Sequence, residues 1–138
     1  MYNIGFMKIF LPGGAGLVGI NLIASITSSN PDWKMVVVDK NLNSINVARR
    51  IFPDVSYLCE DLSFTKNQKW PFEIKDCDIC IMLQAEIGSV NDKLFEINNI
   101  KTTKVILNEL KKFGVSRIIH ISSSVVNSKS DDLYTKTK

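Results

Sequence analysis

A chain of 138 residues, 45% hydrophobic and 22% charged, has the composition of one soluble globular domain large enough for a real core. A formal net charge of +3 is too small to argue for nucleic acid, and the basic residues are scattered apart from a mild cluster at Lys129, Lys136 and Lys138. No uninterrupted apolar run is long enough to span a membrane, and no basic segment leads into an apolar core at the N-terminus, so a cytoplasmic protein is expected.

The first strand is expected at Lys8–Leu11. Met7-Lys8-Ile9 is a natural beginning for it, which leaves Met1 to Phe6 as a short extension, or Met7 as an alternative start. Gly13-Gly14-Ala15-Gly16-Leu17-Val18-Gly19 follows and opens a helix from Leu17 to about Ser28. Two glycine frames coexist, Gly14-x-Gly16-x-x-Gly19 and Gly13-x-x-Gly16-x-x-Gly19. Strand, glycine turn and helix in this order are the context of a dinucleotide site. Glycine permits the tight turn, lets the backbone approach a pyrophosphate, and lets helix pack on strand. The helix N-terminus offers unpaired N–H groups and a positive dipole end. Gly13, Gly14, Gly16, Leu17, Val18 and Gly19 are therefore the expected phosphate-binding stretch.

Asn30-Pro31-Asp32 reads as a turn and Lys34–Val38 as a buried strand, ended by Asp39. Asp39 stands about 20 residues beyond Gly19, where an acidic side chain meets the hydroxyls of an adenosine ribose. A carboxylate there repels a 2′-phosphate, so NAD is expected over NADP. Asn43 to Phe52 makes a short helix closed by Pro53-Asp54, and Val55–Leu58 is the third strand. A polar connection through Trp70-Pro71 leads to the fourth strand, Asp78–Leu83. Leu94, Ile97, Ile100, Leu107, Leu110 and Phe113 recur at helical spacing, which predicts one long amphipathic helix over Asp92–Phe113. Gly114 is placed to end it as a left-handed cap. The fifth strand is Arg117–Ile121.

Strands separated by helices imply an α/β fold: a Rossmann-type, doubly wound parallel sheet with right-handed crossovers and helices on both faces. The order 3-2-1-4-5 follows from the dinucleotide-binding pattern. No repeat or linker divides residues 1–138.

The three cysteines are Cys59, Cys77 and Cys80. Cys77-x-x-Cys80 has the spacing of a redox or metal pair. Residues three apart in an alternating strand face opposite ways, so reduced thiols and no metal are expected. Reduced, buried cysteines suit the cytosol. His120 sits in an apolar strand and is expected to be a satisfied core or face histidine, and the adjacent Asp131 and Asp132 to be solvated.

Longer motifs run through these elements. They are Met7 to Gly19, Asp39-Lys40, Glu60-Asp61-Leu62, Met82-Leu83-Gln84-Ala85, Asn99-Ile100-Lys101-Thr102-Thr103, Gly114-Val115-Ser116-Arg117, Ile121-Ser122-Ser123-Ser124 and Tyr134-Thr135-Lys136-Thr137-Lys138. In this order the chain resembles, nearly end to end, the extended short-chain dehydrogenase/reductase family, particularly its nucleotide-sugar epimerases and dehydratases. The resemblance implies that Asp39 and Lys40 meet the ribose, that Asp61 and Leu62 contact adenine, and that Leu83, Gln84 and Ala85 lie beside the nicotinamide ribose. It implies that Asn99 and its followers brace the central helix. It also implies a catalytic Tyr134 and Lys138, one helical turn apart, with Ser123 as their serine and Ser124 as the alternative. A lysine ammonium near the phenol favours tyrosinate, which takes a proton from a sugar hydroxyl.

The chain departs from the family pattern in places. Pro12 stands where threonine or serine is common, the gap from Ser123 to Tyr134 is much shorter than usual, and Glu86–Asn98 is also short. Family members run well past the length of this chain. The expectation is thus an N-terminal, NAD-binding part of such an enzyme, without the C-terminal substrate domain. Missing residues or a partner chain, a homodimer mate included, would complete the nucleotide-sugar site. The alternative is a non-catalytic module that binds or senses NAD(H).

Overall fold

Apolar runs alternating with amphipathic ones build a three-layer α/β structure. The computed structural model describes residues 5–138, so most of the expected N-terminal extension, Met1–Ile4, lies outside the described residues. Five parallel strands form one sheet: β1 (Lys8–Pro12), β2 (Lys34–Asp39), β3 (Ser56–Cys59), β4 (Ile79–Met82) and β5 (Ile118–His120). Their order is β3-β2-β1-β4-β5, as the sequence predicts. β1 is central, pairing Phe10 with Val36 on one side and with Cys80 on the other.

Side chains that alternate along β1 and β2 fill two separate cores. Ile9, Leu11, Met35 and Val37 pack against Ile23 and Ile26 of α1 (Leu17–Ser29) and Ile45 of α2 (Leu42–Ile51). Phe10, Val36 and Val38 point the other way, toward α3 (Trp70–Glu73) and the long helix. A sheet covered on both faces requires such continuous apolar strands.

The connection through Trp70-Pro71 is more ordered than its polar sequence suggests. Trp70 is fully buried, stacks on Phe10 with ring centroids 6.2 Å apart, and donates Nε1–H to the Phe64 carbonyl at 3.0 Å. Proline in the first turn suits α3. The Glu60 carboxylate accepts the N–H groups of Lys69 and Trp70 at 2.7–3.0 Å, capping that turn from outside. A single buried indole is not visible to a periodicity argument.

The long helix contains a feature that periodicity does not show. It runs as α4 (Asp92–Phe95), a π-helical turn (Glu96–Lys101) and α5 (Thr102–Lys112). Threonine hydroxyls satisfy carbonyls of the widened turn: Thr102 donates to Ile97 at 2.8 Å and Thr103 to Asn99 at 2.7 Å. The turn buries Asn98 and Asn99. Gly114 ends the helix at φ +73°, with Val115 N–H returning to the Leu110 carbonyl at 2.9 Å.

β5 is the outer strand, and all three of its residues are exposed. His120 therefore stands on an open edge rather than in a core. Beyond it, a 3-10 turn (Ser124–Asn127) leads to α6 (Leu133–Thr137). The two adjacent aspartates have separate structural tasks. Asp132 caps α6 by accepting the Thr135 N–H at 2.7 Å, and Asp131 pairs with Lys136 at 2.8 Å. The Ser130 hydroxyl and the Thr135 N–H hold the Asp132 carboxyl below its usual value.

The expectation that Cys77 and Cys80 face opposite sides of strand four is corrected. β4 begins only at Ile79, and Asp76 takes a positive φ of 64°, so strand alternation does not reach Cys77. Both side chains enter the same core, under α3 and α5. They are nonetheless free thiols, as is the exposed Cys59. Burial pushes the Cys77 thiol up to about 11 and Cys80 higher still. Among the described residues no group of three His, Cys, Asp or Glu side chains converges on a metal position. Titration of native protein with a disulfide reagent at pH 8 should count one fast thiol, Cys59. Denatured protein without reductant should yield all three, and a count of one there would contradict the free pair.

Candidate cofactor cleft and active site

At the C-terminal ends of β1, β2 and β4 the sheet opens into a cleft of about 430 Å³. Its floor is the glycine turn between β1 and α1, and the glycines do different work. Gly13 takes φ +74°, and a Cβ there would lie 2.4 Å from the Gln84 backbone nitrogen. Gly14 lies beneath the cleft rather than in its wall, where a Cβ would lie 2.9 Å from the Leu11 carbonyl oxygen. A Cβ on Gly19 would lie 2.0 Å from the Gly14 carbonyl oxygen, so helix and turn meet backbone to backbone. Gly16 differs: its Cβ would meet only the Gly13 oxygen, at 3.8 Å. That position is open to the cleft. Gly16 is also the N-cap of α1, and no side chain caps the helix end. The N–H groups of the first turn are left for a ligand.

The predicted cofactor residues converge here. Gly13, Gly16, Leu17, Val18, Gly19, Asp39, Lys40, Asp61, Leu62, Leu83, Gln84 and Ala85 all line the cleft, and only Gly14 does not. Asp39 ends β2 across from Gly16, with one carboxylate oxygen accepting the Asn41 N–H at 3.0 Å. Asp61 accepts the Ser63 N–H at 2.8 Å, which shapes the turn after β3. Gln84 donates Nε2–H to Thr103 Oγ1 at 3.2 Å, while its Oε1 is buried without a partner. An orphaned buried acceptor is costly in isolation, and a hydroxyl of a bound ribose is the kind of donor that would satisfy it. The uncapped helix end, the open Gly16, the Asp39 carboxylate and this orphan acceptor together fit a dinucleotide.

Sequence reasoning missed Asn41, Ser44, Glu86, Ile87, Asn98 and Thr102, which also line the cleft. Asn41 was legible: its side chain accepts the Ser44 N–H at 3.0 Å as the N-cap of α2, an asparagine signal just before a helix. Asn98 was not, because its inward direction depends on the π-turn.

The predicted catalytic residues lie outside this lining. Ser123 caps the 3-10 turn, its Oγ accepting the Val125 N–H at 3.4 Å, and Ser124 begins that turn. Tyr134 and Lys138 are half-buried, one turn apart at the ends of α6, where Lys138 N–H donates to the Tyr134 carbonyl at 3.0 Å. No hydrogen bond among the described residues joins the three side chains. Asn99 holds α6 in place: its Nδ2 donates to Thr137 Oγ1 at 2.9 Å and to the Glu86 carbonyl at 3.1 Å, and its Oδ1 accepts the Glu86 N–H at 2.7 Å. Burial lowers the Lys138 pKa. Partial burial lowers that of His120, and the nearby Lys138 charge lowers it further.

Strand, glycine turn, uncapped helix and terminal carboxylate define a dinucleotide-binding α/β fold. The family model described as "NAD dependent epimerase/dehydratase family" matches residues 9–137, and the chain belongs to that family, whose cofactor is NAD. A trifunctional UDP-glucose 4,6-dehydratase/UDP-4-keto-6-deoxy-D-glucose 3,5-epimerase/UDP-4-keto-L-rhamnose-reductase of Arabidopsis thaliana is 27% identical over 135 residues, covering 91% of this chain and 20% of that protein. A dTDP-D-glucose 4,6-dehydratase of Mus musculus is 25% identical over 128 residues, 86% of this chain and 36% of that protein. The crystal structure of a UDP-glucuronic acid 4-epimerase from Bacillus cereus in complex with NAD superposes with a TM-score of 0.82 at 22% identity, covering 96% of this chain and 49% of that one. The chain thus spans between a fifth and a half of the relatives it matches.

The glycines separate folding from binding. Gly19→Ala should lower the unfolding free energy by about 3 kcal/mol, the upper range for overpacking, as read by urea denaturation. Gly16→Ala should cost at most about 1 kcal/mol, the scale of an N-cap change. Equal losses would contradict the division of roles. NMR titration offers a second check: Lys138→Ala should move the His120 midpoint upward, and an unmoved midpoint would place the ammonium elsewhere.

Proposed function

We propose that this chain is the cofactor-binding part of an NAD-dependent nucleotide-sugar epimerase or dehydratase. NAD lies across the cleft, its pyrophosphate over Gly13–Gly19 and its adenosine ribose against Asp39. The observation that carries this reading is the uncapped N-terminus of α1 opening on Gly16, with Asp39 opposite in the same cleft. Asp61 and Leu62 hold the adenine end, and Leu83, Gln84 and Ala85 the nicotinamide end. The orphan Oε1 of Gln84 supports the latter.

Bound NAD supplies an acceptor for hydride from a sugar carbon. The chain supplies the proton chemistry. Tyr134 is the base that removes the hydroxyl proton, Lys138 favours its phenolate through charge, and Ser123, or Ser124, orients the substrate oxygen. Asn99 fixes α6 through Thr137 and so sets where Tyr134 stands. The sugar-nucleotide site is completed by further polypeptide or by a partner chain, a homodimer mate included. The open β5 edge, with Ile118 39% and Ile119 46% exposed, supports such a covering. We assign the protein to the cytosol, which its three free cysteines support. No helix among the described residues is long and apolar enough to cross a membrane. A second reading is a module that binds or senses NAD(H) without turnover. The placement of Ser123, Tyr134 and Lys138 outside the cleft lining favours it.

Calorimetry tests the cofactor. NADH should bind more tightly than NADPH, and Gly16→Leu should abolish binding because its side chain would fill the phosphate position. Equal or better NADPH binding would remove the Asp39 argument. Turnover tests the chemistry. The 138-residue chain alone should show little or no conversion of UDP- or dTDP-sugars. A misplacement of about 1 Å costs roughly a hundredfold in rate, and α6 has only five residues to hold Tyr134. A longer natural chain should be active and should lose activity on Tyr134→Phe. Binding without turnover in that longer chain would select the sensing module.

A further inference from the structure

The residue after Asp39 presents a problem for coenzyme choice. A carboxylate at the ribose repels a 2′-phosphate, but Lys40 follows it directly, and an ammonium is a natural phosphate partner. Both residues line the cleft. A lysine free to swing toward the ribose would offset the Asp39 repulsion.

Lys40 is not free. Its Nζ donates to Asn98 Oδ1 at 2.7 Å, across 58 residues of sequence and across the cleft. Asn98 is buried, 8% exposed, in the π-turn. Its Nδ2 donates to Glu86 Oε2 at 2.8 Å. An ionised carboxylate only accepts, so Glu86 fixes the direction of the Asn98 amide, NH2 toward Glu86 and oxygen toward Lys40. Glu86 itself is held through its backbone, whose N–H and carbonyl both bond to Asn99. Two adjacent asparagines of one widened turn thus fasten both the lysine and the residue that orients its partner.

We propose that Asn98, oriented by Glu86, is a specificity-determining residue that keeps Lys40 away from the ribose 2′ position and so protects the preference for NAD over NADP. This inference rests on the cofactor reading of the cleft. Asp39 supplies the repulsion, and Asn98 with Glu86 withholds the compensating cation. Asn98→Leu removes the acceptor at similar volume and releases the ammonium. Glu86→Ala removes the group that orients the amide, so that it can turn its NH2 toward Lys40; this acts from a loop and leaves the helix intact.

The experiment is calorimetric titration of native chain, Asn98→Leu, Glu86→Ala, Lys40→Ala and the double variant Lys40→Ala/Asn98→Leu with NADH and NADPH, with circular dichroism confirming that each is folded. The ratio of NADPH to NADH affinity should rise about tenfold in Asn98→Leu, the scale of one charge-assisted hydrogen bond, and less but in the same direction in Glu86→Ala. The double variant should return to the native ratio. A native chain that binds NADH with a ratio unchanged in both Asn98→Leu and Glu86→Ala overturns this inference alone. A gain that persists without Lys40 also overturns it. A native chain that binds neither nucleotide overturns the cofactor reading and this inference with it. If Asn98→Leu does not fold, Glu86→Ala decides by the same criterion.

Discussion

The structure depends on one backbone contact, that of Gly19 in α1 with the Gly14 carbonyl in the turn below it. No side chain could occupy the space, since a Cβ on Gly19 would fall 2.0 Å from that oxygen. The closeness sets the angle at which α1 leaves β1. It also brings the first turn of the helix over the C-terminal edge of the sheet, where its free N–H groups face the cleft. Moving the helix outward to admit a methyl group would shift Ile23 and Ile26 off the sheet, because both belong to the core under that face. The shape of the cleft and the packing are thus set by the same absent side chains, and of the four turn glycines Gly16 is free of that constraint.

The opposite face is organised by Trp70. Its ring fills the space over Phe10 at the centre of the sheet, and the Glu60 carboxylate fixes the backbone that carries it. Glu60 follows β3 directly and Asp61 lines the cleft. The segment after β3 that lines the cleft is therefore tied to the core through one helix cap. Both adjacent acids line the cleft, and each also accepts backbone N–H groups, Glu60 those of Lys69 and Trp70 and Asp61 that of Ser63.

The sequence showed the sheet well and the far side of the site poorly, for physical reasons. β1 and β2 are buried on both faces, so their apolar runs are unbroken and bounded by glycine or aspartate, and their order follows from the crossovers. The glycine turn and Asp39 act through local backbone geometry, which residue type reports directly. Asn98 and Asn99 act through a π-turn that one extra residue per turn creates. Helical periodicity averages over such a turn and reads Asp92–Phe113 as uniform. Cys77 was misjudged for a related reason. Alternation holds only inside a strand, and the left-handed Asp76 just before it changes the direction of the chain. The Trp70 contact and the Lys40–Asn98 bond join residues far apart in sequence, and no local pattern encodes their partners.

The same distinction separates the two halves of the site. The glycine end of the cleft is built largely from contiguous residues, Gly13 to Gly19, of one strand–turn–helix unit. Its contacts outside that unit are close: the Gly13 N–H donates to the Val38 carbonyl at 2.8 Å, and Gly13 lies against the Gln84 backbone. The segment with Tyr134 and Lys138 is arranged differently. Tyr134 lies in α6, and Lys138 follows its last residue. Its visible supports are the Asp132 cap, the Asp131–Lys136 pair and the bond from Asn99 to Thr137. The first two lie within the same segment and place nothing relative to the sheet. The Asn99 bond, continued through Glu86 to the loop after β4, connects α6 to the cleft wall, and α6 also packs against α4 and the π-turn. The π-turn therefore links the cleft wall to the segment that carries Tyr134, through side chains whose partners no local pattern encodes.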